Sequence, residues 1–363
     1  MLRSAGAFIV VLLLSGCNLV VLEPAGDIAR QQGQLIIYAT VLMLIVILPV
    51  MALTIFFAIR YRASNESASY SPDWDHSISL EMVVWSLPLA IIICLAGLTW
   101  VATHRLEPYN ELTRIDASRP LDPAVEPLTI QVVALDWKWL FIYPEQDVAT
   151  VNEVAAIVDR PVEFKLTSAT VMNSFYVPAL AGQIYAMAGM ETELNAVINE
   201  PGDFEGFSAN YSGNGFSQMR FRFHGLDATG FDRWVADVRA QGSRLDRERY
   251  RSLALPSVGN AVTYFDGVEA ELWDRIINLC VEPGTLCHDD MMMVDALGGG
   301  GLEGLYNREI FAGICASDDA LGLYYLLRPE FSRRSPELAA ALGTAALPSI
   351  VPTTGTRRDE SAR

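Results

Sequence analysis

The chain has 363 residues, 51% of them apolar, with a mean hydropathy of +0.25 and a formal charge of −17. That hydropathy excludes an ordinary soluble protein of this length, so part of the chain belongs in lipid. The negative charge argues against nucleic acid as a partner, because phosphate binding needs a basic surface that releases counterions.

Residues 1–16 carry one positive charge, Arg3, followed by the apolar run from Phe8 to Leu14. The run is too short to cross a bilayer and has the layout of an export signal. It ends in Leu14-Ser15-Gly16-Cys17, which is similar to the lipobox of bacterial lipoproteins. Cleavage there would leave Cys17 as a lipidated (palmitate-bearing) first residue; the plainer reading is a secretory signal with an incidental cysteine.

Residues 35–59 and 82–102 are each long enough to span the hydrocarbon and contain no ionised side chain. They are predicted to form a transmembrane hairpin within residues 17–103; Pro49 and Pro88 imply kinks, either packed on a larger partner or without a partner role. Arg60 and Arg62 follow the first span, so the loop 61–79 is assigned to the cytoplasm, although Asp73 and Asp75 dilute the signal. Both ends of the hairpin then face outward, in agreement with an outward Cys17. Glu81 reads as either a proton-route carboxylate or an interfacial residue. Cys94 is expected to be a buried mid-span packer, and His76 and His104 to flank the spans at the interface.

A proline-bearing linker, 104–127, leads to short runs rich in Val, Ile, Phe and Trp between turn residues. Strands are expected at 128–134, 137–143, 151–158, 162–167, 193–198, 203–209 and 218–223, which suggests a β-sandwich over residues 128–226. Phe231, Trp234, Val235 and Val238 then recur at helical spacing, with Thr229 available as a cap and His224 expected at the surface. A further helix over 268–279 precedes the glycine run Gly298 to Gly301. Residues 227–337 thus read as a helical C-terminal extension and 338–363 as a flexible tail.

Three motifs carry a family resemblance: Asp136-Trp137-Lys138-Trp139-Leu140-Phe141-Ile142-Tyr143-Pro144, Val171-Met172-Asn173-Ser174-Phe175-Tyr176-Val177-Pro178, and the stretch from Ser208 to Met219. With the lipobox and the hairpin before them, they resemble the subunit II family of haem-copper terminal oxidases, in the cytochrome bo-type ubiquinol oxidase branch. The resemblance implies a cupredoxin-like sandwich on a two-helix hairpin. It also implies a bacterial inner-membrane protein with its C-terminal domain in the periplasm.

Members that oxidise cytochrome c hold a dinuclear copper centre in this domain. At the corresponding positions here stand Asn173 for the first histidine, Ser208 and Ser212 for the bridging cysteines, Asn210 for a glutamate and Phe216 for the second histidine. Met219 alone remains. Serine hydroxyls are hard, protonated and weak donors to copper, so no metal is expected in this chain, and Met219 is expected to be a core side chain.

The resemblance implies that quinol chemistry, haems and copper belong to the large partner subunit I. Other small membrane subunits and membrane lipid complete the expected partners, and no catalytic residue is assigned to this chain. Trp137 and Trp139 read either as a remnant electron-entry surface or as packing.

Outside the motifs, Cys280 and Cys287 are either a short-loop disulfide or two free thiols, with Cys315 left over. Nearby His288 and Met291 to Met293 do not complete a known ligand spacing. There is no nucleophile elbow, phosphate loop or dinucleotide fingerprint. The competing expectations are a copper-bearing cytochrome c oxidase subunit and a free lipoprotein whose sandwich binds a ligand.

Overall fold

The structure is a computed structural model that describes residues 20–67, 69, 73–283, 285, 287–289 and 292. Cys17, Cys315, the glycine run and the tail 338–363 lie outside the described residues. The chain divides into two units, residues 1–277 and 278–363.

Two long helices open the first unit, α1 (Asp27–Arg60) and α2 (Ile78–Arg105), and they touch each other as a hairpin. Each extends beyond its apolar run, because polar flanks such as Gln31 and His104 continue the helical ladder outside the hydrocarbon. Pro49 and Pro88 lie inside the helices without ending them. Large apolar side chains from both helices are exposed, as lipid or a membrane partner requires. Cys94 is exposed too, contrary to its expected burial: a helix that is apolar all round shows no sequence sign of which face turns outward.

The start of α1 is locked to the β domain. Ala25 and Gly26 donate backbone N–H bonds to Ala179 O, and Ala29 donates to Leu180 O. Asp27, almost fully buried, accepts from Arg114 at 2.8 and 3.1 Å and from Gln31 at 2.9 Å. Only glycine fits at Gly26, where an added Cβ would meet Leu180 O at 2.6 Å.

The β domain is a sandwich of two mixed sheets. Its strands are β1 (Leu128–Leu135), β2 (Lys138–Tyr143), β3 (Val148–Val151), β4 (Glu153–Ile157), β5 (Pro161–Ser168), β6 (Asn173–Tyr176), β7 (Ile184–Ala186), β8 (Thr192–Val197), β9 (Gly202–Ser208), β10 (Arg220–Leu226) and β11 (Thr263–Phe265). One sheet runs β11-β3-β2-β1-β5-β8 and the other β4-β10-β9-β6-β7.

Aromatic rings fill the space between the sheets. Trp139 meets Phe175 and Phe221 edge-on at 5.5 and 5.7 Å, and Phe175 stacks on Phe221 at 5.2 Å.

The expected strand 151–158 is in fact two strands in different sheets. Asn152 adopts a left-handed conformation (φ 58°), which breaks the strand. Its side chain accepts from Trp139 N and donates to Asn260 O, holding the crossing in place.

Beyond the sandwich lie α3 (Ala228–Gln241), α4 (Arg247–Ala254) and α5 (Leu272–Ile277). The cap of α3 is Asp227, which accepts from Gly230 N, and not the expected Thr229. The helix expected over 268–279 shortens to α5, since Glu271 and Leu279 have positive φ on either side. The extension is not wholly helical: β11 pairs with β3.

Candidate functional site: the loops around Asn173 and Ser208

Asn173 begins β6 and Ser208 ends β9, neighbouring strands that place the two side chains in contact. Both are buried, and the Ser208 hydroxyl lies 3.2 Å from Asn173 Oδ1 and equally from the Asn210 carbonyl, the two acceptors for its single proton. Asn173 in turn donates to Val171 O at 3.0 Å.

After Ser208 the chain folds into a tight loop and a 3-10 turn, Phe216–Gln218, before returning at Met219, whose carbonyl accepts from Ser208 N at 3.1 Å. Ser212 Oγ faces the Met219 sulfur at 4.0 Å, and Met219 is buried in the core cluster. Asn210 turns away to donate to Met172 O, and Phe216 packs on Tyr211 with ring centroids 5.6 Å apart.

The side chains at the six positions therefore form two separate pairs, Asn173 with Ser208 and Ser212 with Met219, while those of Asn210 and Phe216 face elsewhere. Hydroxyl, amide and thioether groups satisfy one another in this arrangement. It offers a cation no anionic ligand.

Trp137 precedes β2 in a turn, and its indole N–H donates to Ser212 O at 3.1 Å. Gly213 (φ 114°) and Gly215 pass under its ring, where a Cβ on Gly215 would lie 2.5 Å from Trp137 Cδ2. Trp137 thus clamps the loop, while Trp139 is fully buried between the sheets. Both indoles act as packing groups in this fold.

Lys138, between them, is buried with its ammonium on Leu255 O at 2.8 Å, Ser257 Oγ at 2.6 Å and Asp136 O at 3.3 Å. Burial lowers its pKa from the usual lysine range.

A second polar cluster joins the sandwich to the extension. Glu153 on β4 accepts from Trp234 Nε1 and Tyr264 OH, both at 2.9 Å, and its other oxygen lies 3.6 Å from His224 Nε2. His224 Nδ1 is 2.5 Å from Asp203. The expected surface histidine is therefore half-buried within a network. Neither partner is near it in sequence; only pairing of β4 with β10, and of β10 with β9, brings them together.

At the membrane end, Glu81 is exposed and paired with His76 at 2.7 Å. In the second unit, Cys280 and Cys287 are joined by a disulfide, with Cα atoms 4.8 Å apart.

Residues 239–284, spanning α4, β11 and α5, match the model of a family described as the COX Aromatic Rich Motif. The cytochrome bo(3) ubiquinol oxidase subunit 2 of Pseudomonas aeruginosa is 51% identical over 73% of this chain and 78% of its own length. The protein of the same name from Pseudomonas putida is 48% identical over 75% of this chain and 83% of its own.

The chain belongs to the ubiquinol oxidase subunit 2 family.

Among solved structures, the periplasmic domain of subunit II of cytochrome oxidase from Bradyrhizobium japonicum is 22% identical, with a TM-score of 0.30 over 32% of this chain and 96% of that one. In this ubiquinol oxidase subunit 2 chain the matched motif supplies the buried Tyr250 and Phe265, and Tyr264, which donates to Glu153.

Proposed function

We propose that this chain is the non-catalytic second subunit of a respiratory quinol oxidase. It docks on a large haem-copper subunit I, where electrons pass from ubiquinol to oxygen and protons are translocated. The observation that carries this reading is the Asn173–Ser208 bond at the former copper positions. A dinuclear copper relay serves to accept single electrons from an aqueous cytochrome. A lipid-soluble quinol reaches a membrane subunit directly, so the relay can be replaced by groups that hold the fold.

The hairpin anchors the chain, the lipidated Cys17 adds a second attachment, and the sandwich stands on the periplasmic side. The backbone bonds from Gly26 and Ala29 to the sandwich, with Asp27 held by Arg114 of the linker, support a fixed posture of the outer domain over its partner.

Copper analysis of the full chain, purified in mild detergent after growth with added copper, tests the metal-free reading. Traces well below one copper per chain support it, and near-stoichiometric copper overturns it. Deleting the chain is expected to abolish ubiquinol-dependent oxygen uptake by membranes.

A further inference from the structure

Two cavities at the outer end of the hairpin share part of their lining. The smaller, 180 Å³, is an open, largely apolar groove between α1 and α2 lined by Leu35, Tyr38, Leu98 and Val101. The outer, 380 Å³, lies where the helices meet the linker and the sandwich, and Glu107 and Glu111 are on its wall. Gln31, Arg105 and Leu106 line both. Leu35 and Tyr38 lie two to three helical turns beyond Asp27, so the groove descends into the membrane zone as the outer cavity leaves it.

Five charged side chains line the outer cavity. Asp27 and Arg114 neutralise each other through their paired bonds. The side chains of Arg105, Glu107 and Glu111 have neither hydrogen bond nor ion pair among the described residues, although all three line the same cavity. Along the chain the order is directional: Leu98 and Val101 line the groove, Arg105 lines both cavities, and Glu107 and Glu111 line the outer one alone.

That order matches a phospholipid read from its acyl chains through its phosphate to a primary ammonium. We propose that the double cavity binds one phosphatidylethanolamine-type lipid. An acyl chain lies in the groove, the phosphate sits on Arg105, and the ammonium donates to Glu107 and Glu111. The carboxylates disfavour a glycerol headgroup, whose lipid keeps a net negative charge, and a choline headgroup has no N–H to donate to them. The inference rests on reading α1 and α2 as membrane helices within the oxidase complex.

The test uses the intact complex, purified through a tag on this chain, with haem content read in the same preparation. It is incubated with phospholipids bearing a photoreactive acyl chain and an ethanolamine, glycerol or choline headgroup, and adducts are mapped by mass spectrometry. The expected result is ethanolamine-selective labelling of segments 35–38 and 98–106, suppressed by excess unlabelled ethanolamine lipid. Arg105→Glu is expected to reduce it about tenfold or more, as loss of a charge-assisted hydrogen bond implies. The double variant Glu107→Gln/Glu111→Gln is expected to lose the preference for ethanolamine over glycerol.

Equal labelling by all three lipids, preference for the glycerol lipid, or unlabelled segments because another subunit fills the groove would overturn the proposal. If Arg105→Glu does not assemble, the selectivity of the wild-type complex decides. Absence of haem from the preparation would instead overturn the subunit assignment.

Discussion

Ser208 and Asn173 are bonded to each other across 3.2 Å, hydroxyl to side-chain carbonyl, in a site where both are buried. Ser208→Ala leaves Asn173 Oδ1 buried without that donor, at a cost of about 1–3 kcal/mol. Because the pair carries no electrons in this account, thermal unfolding should shift downward while ubiquinol oxidation by the assembled complex stays at the wild-type rate. A loss of turnover with unchanged stability would put the pair in the reaction.

Gly206, on β9, faces the ring of Phe221, so closely that a Cβ would overlap the ring carbons. Phe221 cannot retreat, since Trp139, Phe141 and Phe175 hold it. Gly206→Ala is expected to destabilise the sandwich by about 1–3 kcal/mol, the usual cost of overpacking. Denaturant unfolding of the purified chain measures it, and a neutral result would mean that the aromatic core is looser than described.

The cluster around His224 makes stability depend on pH. The Glu153 carboxylate, with help from Asp203 and against burial, raises His224 above the usual 6.5. A raised folded pKa gives stabilisation that is complete below 6.5 and is lost as pH rises through the folded value. Burial pushes Glu153 up, but the nearby His224 and the hydrogen bonds from Trp234 and Tyr264 outweigh it and bring it to about 2. Its contribution is present above 4.5 and is lost as pH falls toward 2. Unfolding midpoints measured from about pH 5.5 to about pH 9 should decline for the wild type and decline less for His224→Gln. Parallel declines would remove His224 as the cause.

Cys280 and Cys287 are seven positions apart and bonded. Peptide mapping without reduction should recover their two peptides joined, while Cys94 reacts with a membrane-permeant alkylating agent. In the chain-entropy account, closing so short a loop stabilises by about 2–3 kcal/mol. Cys280→Ser should therefore raise the protease sensitivity of the segment around residues 278–289. Free thiols at both positions in material from intact cells would argue against an oxidising, periplasmic location.

The hairpin was legible because two uninterrupted apolar runs have no other stable fate. Most strands were legible because alternation, as in Met219 to Phe223, marks a half-buried sheet face. The crossing at Asn152 was not, since it depends on a left-handed backbone stabilised by Trp139 and Asn260, remote in sequence. The short strands β6, β7 and β11 owe their existence to partners already in place. Asp227 lost to Thr229 as the expected cap because both residue types suit the position. At Asn173 and from Ser208 to Met219, the hydroxyl, amide and thioether character of the loops was readable residue by residue. Which of them bond to each other depends on the pairing of β6 with β9, and this emerged only in three dimensions.

The most direct test of the account is oxygen uptake by the complex isolated through a tag on this chain in mild detergent, with ubiquinol or reduced cytochrome c as the donor. The expected result is rapid uptake with ubiquinol and none above background with cytochrome c. Uptake driven by cytochrome c, or none with either donor from a chain that emerges without haem, would contradict it.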